Sequence, residues 1–196
     1  MNTQTDTKKL VRIALLTAIL IVMEITGIGL IKTPSGLEMT IMHVPVIIGA
    51  ILMGPAEGAI LGGVFGAISF WECFGKSPFG AVLLGINPVF TFIVCIPTRM
   101  LMGYLCGLIF KALNKEEGKG VVSFGVASLS GALLNTLFFM TTLIVFFGRT
   151  EFIMGLRGTL NIFAFVVAFV GVQGVIEALL AAFLGAALSK ALWKLR

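Results

Sequence analysis

Asn87-Pro88-Val89-Phe90-Thr91-Phe92-Ile93-Val94-Cys95-Ile96-Pro97-Thr98-Arg99-Met100-Leu101-Met102-Gly103-Tyr104 is an apolar stretch interrupted by one charge, Arg99, and no second charge follows until Lys111. A helix begun at Pro88 carries Arg99 roughly 17 Å along its axis at about 1.5 Å per residue, near the middle of a hydrocarbon layer about 30 Å thick. A guanidinium at that depth costs several kcal/mol unless it meets a partner or a wet cavity. The chain must therefore supply one of two things. Either a carboxylate of Glu24, Glu72 or Glu177 pairs with Arg99 internally, or Arg99 is the anion-binding group of a site.

Composition places the whole chain in the same setting. Of 196 residues, 58% are hydrophobic and 12% charged, and the mean hydropathy is +1.09, against about a quarter charged in soluble domains. The apolar runs are continuous rather than alternating, so the spans are helical and no β-barrel is indicated. A formal charge of +5 does not indicate nucleic acid, because the basic residues gather at the ends of apolar segments. Cys73, Cys95 and Cys106 have no metal-ligand spacing and read as small hydrophobes. The basic N-terminus before an apolar run resembles a signal peptide but lacks a cleavage site, so it reads as an uncleaved first helix.

Six helices are expected, at about 9–30, 41–53, 56–71, 88–113, 121–147 and 159–193, in one membrane domain spanning 1–196. The interruption Gly54-Pro55-Ala56-Glu57-Gly58 decides between one and two spans in the second region. The basic N-terminus, the loop with Lys111, Lys115 and Lys119, and the basic C-terminus share the cytoplasmic side only if two crossings lie between His43 and Trp71. That arrangement puts nine Lys or Arg inside and four outside, with Arg99 buried. Glycines at 54, 58, 62 and 66, with small residues at 59, 63 and 67, leave two faces of the third helix almost bare for close packing. Residues 72–86 and 149–158 read as outer loops, the first long enough to be a lid.

Catalytic signatures are missing. Gly75-Lys76-Ser77 lacks the first glycine of a phosphate-binding loop, since position 70 is Phe70. No metalloprotease or nucleophile-elbow motif is present, and His43 reads as an interfacial hydrogen-bonding residue. What remains is a set of polar residues in apolar surroundings: Arg99, Tyr104, Asn135, Asn161, Gln173 and Glu177, with Trp71 and Glu72 at the outer rim. Such groups either glue helices together or line a pocket. As a pocket, an arginine fork suits a carboxylate, the amides supply donors and acceptors, and the aromatics supply apolar walls.

Ala14-x-x-x-Ala18, the run Met42-His43-Val44-Pro45-Val46-Ile47-Ile48-Gly49-Ala50-Ile51-Leu52-Met53-Gly54-Pro55, the glycines behind it, and Asn87-Pro88 followed by Pro97-Thr98-Arg99 together resemble the substrate-binding S component of an energy-coupling factor (ECF) vitamin transporter. The resemblance covers the whole chain and is greatest to the pantothenate-binding members, which usually carry proline directly before the arginine where Thr98 intervenes here. It implies a non-enzymatic, multi-pass protein of a bacterial cell membrane that binds a vitamin with high affinity from outside, under lids near 31–40 and 72–86. It implies no cofactor of its own: ATP would be hydrolysed by two cytosolic ATPases acting through a transmembrane scaffold, the T component, docked on Ala14 and Ala18. The S component would then topple in the bilayer. With this resemblance, pantothenate is the expected substrate and Arg99, Asn135, Trp71, Tyr104, Asn87, Gln173 and Glu72 its expected contacts. Another vitamin or precursor such as pyridoxine is the alternative within the family. A helical membrane enzyme or scaffold without a transported ligand is the alternative outside it.

Overall fold

The computed structural model describes residues 3–32, 38–114 and 120–194. Its elements, in chain order, are α1 (Thr3–Thr26), β1 (Leu30–Lys32), β2 (Glu38–Thr40), α2 (His43–Met53), α3 (Pro55–Glu72), α4 (Pro78–Ile86), α5 (Pro88–Leu113), α6 (Val121–Phe147), α7 (Glu151–Arg157) and α8 (Ile162–Trp193). β1 and β2 form a short antiparallel hairpin with Leu30 opposite Thr40. Part of the first expected lid, residues 33–37, and the lysines 115 and 119 lie outside the described residues.

Several boundaries differ from the sequence expectation. α1 stops at Thr26, where Gly27 takes φ 72° and the chain turns into the hairpin. Two segments expected as loops contain helices. In the first, Ser77 caps α4 by accepting from the Gly80 N–H, and Pro78 occupies the first turn, where its missing donor costs nothing. In the second, Thr150 caps α7, and Gly158 ends it at φ 55°. Asn161, grouped above with the polar set, caps α8 by accepting from the Ala164 N–H at 2.8 Å.

Among the described residues three helices are long and apolar enough to cross a membrane: Pro88–Leu113, Val122–Phe147 and Gln173–Trp193. A fourth span results if Glu151–Arg157 and Ile162–Gly171, bent by 79° at their break, count as one. α2 is different: every residue from His43 to Met53 is buried. It ends at Gly54, whose φ of 121° suits glycine alone, and Pro55 starts α3 directly afterwards. His43 is therefore a core residue, 1% exposed, rather than an interfacial one.

α3 and α5 run antiparallel with their backbones nearly touching. A Cβ on Gly58 would strike the Gly103 carbonyl, one on Gly62 the Arg99 carbonyl, and one on Gly66 the Cys95 carbonyl and Ile96 Cα. Each step of four along α3 meets a step of four back along α5, so the bare faces expected from the sequence face this neighbour. Close backbone approach of this kind multiplies dispersion contacts and carbonyl–Cα–H interactions, the main attractions left between helices in lipid.

Two apolar clusters result. The larger surrounds α2 and includes Ile47, Ile51, Leu61, Phe65, Met102 and Phe124. The second joins Leu83, Val94, Leu143, Phe147, Ile153 and Phe165, with Phe79, Phe90, Phe146, Phe152 and Phe169 packed against it. Its rings are coupled in pairs, Phe90 on Phe146 at 4.7 Å and Phe79 on both Phe152 and Phe169 at 5.7 Å.

Candidate functional site

A cavity of about 140 Å³ has walls drawn from both clusters. α3 contributes Phe65, Ser69, Glu72 and Cys73; α4 contributes Phe79 and Leu83; α5 contributes Thr91, Val94, Cys95 and Arg99. The opposite wall comes from α6, with Asn135, Thr136 and Phe139, and α8, with Val170, Gln173 and Glu177, while Thr40 reaches in from the end of the hairpin. On α4 and α8 these positions recur at intervals of three or four, and on α3, α5 and α6 such intervals are joined by one adjacent pair each, which keeps them on one side of each helix.

Arg99 is held by its own helix and by two rings. Its backbone is fixed against Gly62. Pro97, inside α5, lacks a backbone donor and disturbs the turn before it. Beside it, two side chains bond back onto their own helix: Thr98 Oγ1 donates to Val94 O, and Arg99 Nη1 donates to Cys95 O at 3.0 Å and Val94 O at 3.3 Å. The guanidinium carbon lies 4.7 Å from the Phe65 ring centre and 5.9 Å from that of Phe139, within range of the attraction between a cation and a ring face.

Glu177 acts on it through space. The ion pairs among the described residues are Lys9 with Glu57 and Lys76 with Glu24, and neither involves Arg99. Arg99 is 8% exposed, and its Nε has no protein partner. Of the three carboxylates raised by the sequence as internal partners, Glu24 is paired with Lys76 instead. With Nη1 on carbonyls and Nε without a protein partner, the guanidinium keeps donors for an anion entering the cavity.

Glu177 occupies the opposite wall. Its Oε1 accepts the Thr40 backbone N–H at 2.7 Å, a bond joining α8 to the hairpin across 137 residues. Gln173 lies against the same carboxylate, one turn earlier on α8. The outer turn after α3 is tied down separately, because Lys76 Nζ donates to the Glu24 carboxylate and to the Glu24 carbonyl at the end of α1.

Of the residues expected in the site, Arg99, Asn135, Gln173 and Glu72 line the cavity. Trp71, Tyr104 and Asn87 do not line it. Trp71 is 73% exposed, on the side of α3 away from Ser69 and Glu72. Tyr104, 43% exposed, stands five residues beyond Arg99, about 140° around the helix. Asn87 is the cap of α5, its Oδ1 accepting from the Val89 and Phe90 N–H groups at 3.0 and 3.1 Å. The sequence reading missed Phe65, Ser69, Thr91, Phe139 and Thr136 as wall residues. Counting three and four residues in each direction from Asn135, Arg99 and Glu72 reaches only Ser69 and Phe139. Ala14 and Ala18 are both exposed on α1. Among the described residues no group of His, Cys, Asp and Glu is arranged to hold a metal ion.

Comparison with known proteins points the same way. The family model described as "ECF transporter, substrate-specific component" matches residues 8–189. The chain is similar to the pantothenic acid transporter PanT of Lactococcus lactis subsp. cremoris, 35% identical over 150 residues that make up 70% of this chain and 73% of that one. It is also similar to the pantothenate transporter PanT of Leuconostoc mesenteroides subsp. mesenteroides, 32% identical over 104 residues, 52% of this chain and 49% of the relative.

Proposed function

The chain belongs to the substrate-specific component family of ECF transporters, and on that premise we propose that it is the pantothenate-binding subunit of an ECF-type importer in a bacterial membrane. Relatives bearing the name of a pantothenate transporter support the choice of vitamin. The observation that carries it is Arg99, a buried guanidinium lining the cavity whose Nε has no protein partner. Pantothenate supplies a carboxylate for that fork. Pyridoxine has none and would leave Arg99 to an internal partner, which the described ion pairs do not include.

In this reading Asn135 hydrogen-bonds the central amide of the vitamin, with Gln173 and Glu72 as further polar contacts. Phe65 and Phe139 form the apolar walls around the carboxylate end. α1, α2, α3, α5, α6 and α8 make six crossings with both chain ends cytoplasmic, in keeping with basic residues at Lys8, Lys9, Arg12, Lys111, Lys190 and Lys194. The 11 residues of α2 give a rise of only about 16 Å, and its complete burial suits a helix that crosses inside protein rather than against lipid. The exposed Ala14 and Ala18 dock a T component, and two cytosolic ATPases hydrolyse the ATP; the chain itself needs no cofactor.

Equilibrium binding of radiolabelled pantothenate to the purified chain is the test. Wild type binds, and Arg99→Ala weakens binding by about 2–5 kcal/mol, the usual cost of removing one member of a buried charge pair. Thermal unfolding should change little, since Arg99 is tied to carbonyls of its own helix. Unchanged affinity in this variant removes Arg99 from its assigned role.

A further inference from the structure

The cavity is electrically two-ended. Arg99 lines it from α5 and Glu177 from α8, and the two act on each other through space without an ion pair between them. Both are buried, at 8% and 6% exposure. In a water-poor cavity, a cation and a carboxylate held apart impose an orientation on any ligand that spans them. The ligand's anionic group goes to Arg99. Hydrogen-bond donors go to Glu177, whose carboxyl oxygens accept.

Part of the Glu177 carboxylate is already committed, since Oε1 accepts the Thr40 N–H at 2.7 Å and the Gln173 side chain also donates to the group. The remaining lone pairs of the carboxylate are those a ligand can use. We propose that Glu177 is a specificity-determining residue: it accepts a hydrogen bond from a hydroxyl at the end of the ligand remote from the carboxylate, and it rejects ligands carrying a second negative charge there. The site thereby takes monocarboxylates with a hydroxylated far end and excludes dianions. Because the same carboxylate seats the end of β2, recognition of the hydroxyl end and placement of the hairpin share one side chain. This proposal rests on the pantothenate reading, since pantothenate has such a shape, with its carboxylate at one end and its terminal hydroxyl at the other.

The test is calorimetric binding of three ligands to the full chain in detergent: pantothenate, its analogue with the terminal hydroxyl replaced by hydrogen, and its analogue phosphorylated at that hydroxyl. Wild type is expected to bind the deoxy analogue about tenfold more weakly, the loss of one charge-assisted hydrogen bond. The phosphorylated analogue, carrying about −1.5 to −2 extra charge, is expected to bind at least about a hundredfold more weakly. In Glu177→Gln, which keeps the shape and an oxygen for Thr40, the deoxy analogue should hold its wild-type affinity within about twofold. Both ratios should then narrow.

If wild type binds no pantothenate, the pantothenate reading falls and this proposal with it. If wild type binds pantothenate but Glu177→Gln weakens all three ligands by one common factor, the proposal alone falls, and Glu177 is only the seat of the hairpin. Wild-type measurements suffice should the variant fail to fold, because a phosphorylated analogue binding within tenfold of pantothenate overturns the proposal directly.

Discussion

The α3–α5 seam and the α6–α8 wall face each other across the cavity and are built by different means. Along the seam, glycines on one helix meet carbonyls of the other, and at Gly58 and Gly103 the exclusion is mutual. Along α6 and α8, the obstacles are side chains. A Cβ on Gly185 would press on the Ser128 hydroxyl, one on Gly174 would approach a Val170 methyl at 3.0 Å, and one on Gly171 would find only a Val167 methyl at 3.8 Å. Backbone cannot yield, whereas side chains can rotate. The seam therefore fixes the position of Arg99, while the wall bearing Asn135, Gln173 and Glu177 has room to adjust.

The strongest way to break this contrast is Gly62→Ala. The added methyl would meet the Arg99 carbonyl, so the helices must separate; a loss of about 3 kcal/mol or more of stability is expected in thermal or denaturant unfolding in detergent. Ligand affinity should fall as well, because Arg99 moves with its backbone. A variant as stable as wild type would show that the seam is not rigid.

Asn135→Ala tests the softer wall. Removing one side chain that lines the cavity should weaken pantothenate binding by about 1–2 kcal/mol in the same calorimetric measurement, with little change in unfolding temperature. Lys76→Ala should have a smaller effect, about 0–1 kcal/mol on stability, because half of the lysine side chain remains in solvent. If the tie to α1 holds the outer turn over the cavity, its loss appears mainly as faster ligand release in a chase experiment. Gly171→Ala is expected to change stability least, by no more than about 0.5 kcal/mol in either direction.

Trp71→Ala and Tyr104→Phe separate sequence from structure. Both residues were expected at the site, and both lie outside the cavity, so affinity should stay within about twofold. Their aromatic character and neighbourhood to Arg99 and Glu72 in the chain misled, because nearness in sequence is not nearness on a helix face. Asn87 misled for another reason: a cap asparagine before proline and a ligand-binding asparagine look alike until their hydrogen bonds are known. Arg99 and Asn135 were legible because a charge and an amide deep in an apolar run demand an explanation. Phe65, Thr91 and Phe139 were not, since a phenylalanine or threonine in a membrane helix demands none.

The fold was readable to the same degree. Continuous apolar runs and the glycine spacing marked the long helices and the seam. α4 escaped because glycines at 80 and 85 and prolines at both ends read as loop, although Ser77 and Pro78 together make a sound helix start. α7 escaped because its seven residues are too few to show periodicity. The hairpin's role was not legible at all, since it depends on the Thr40 N–H meeting a carboxylate 137 residues away.

One consequence follows from the complete burial of α2. A helix enclosed by protein on every side has protein as its solvent, whatever surrounds the molecule. Exchanging one lipid for another, or bilayer for detergent, alters the medium of α1 and α8 but leaves that of α2 as it was. A cysteine introduced at Val46, which has no exposed surface, should stay unlabelled by a membrane-permeant maleimide in thin bilayers, thick bilayers and micelles alike, until the protein unfolds.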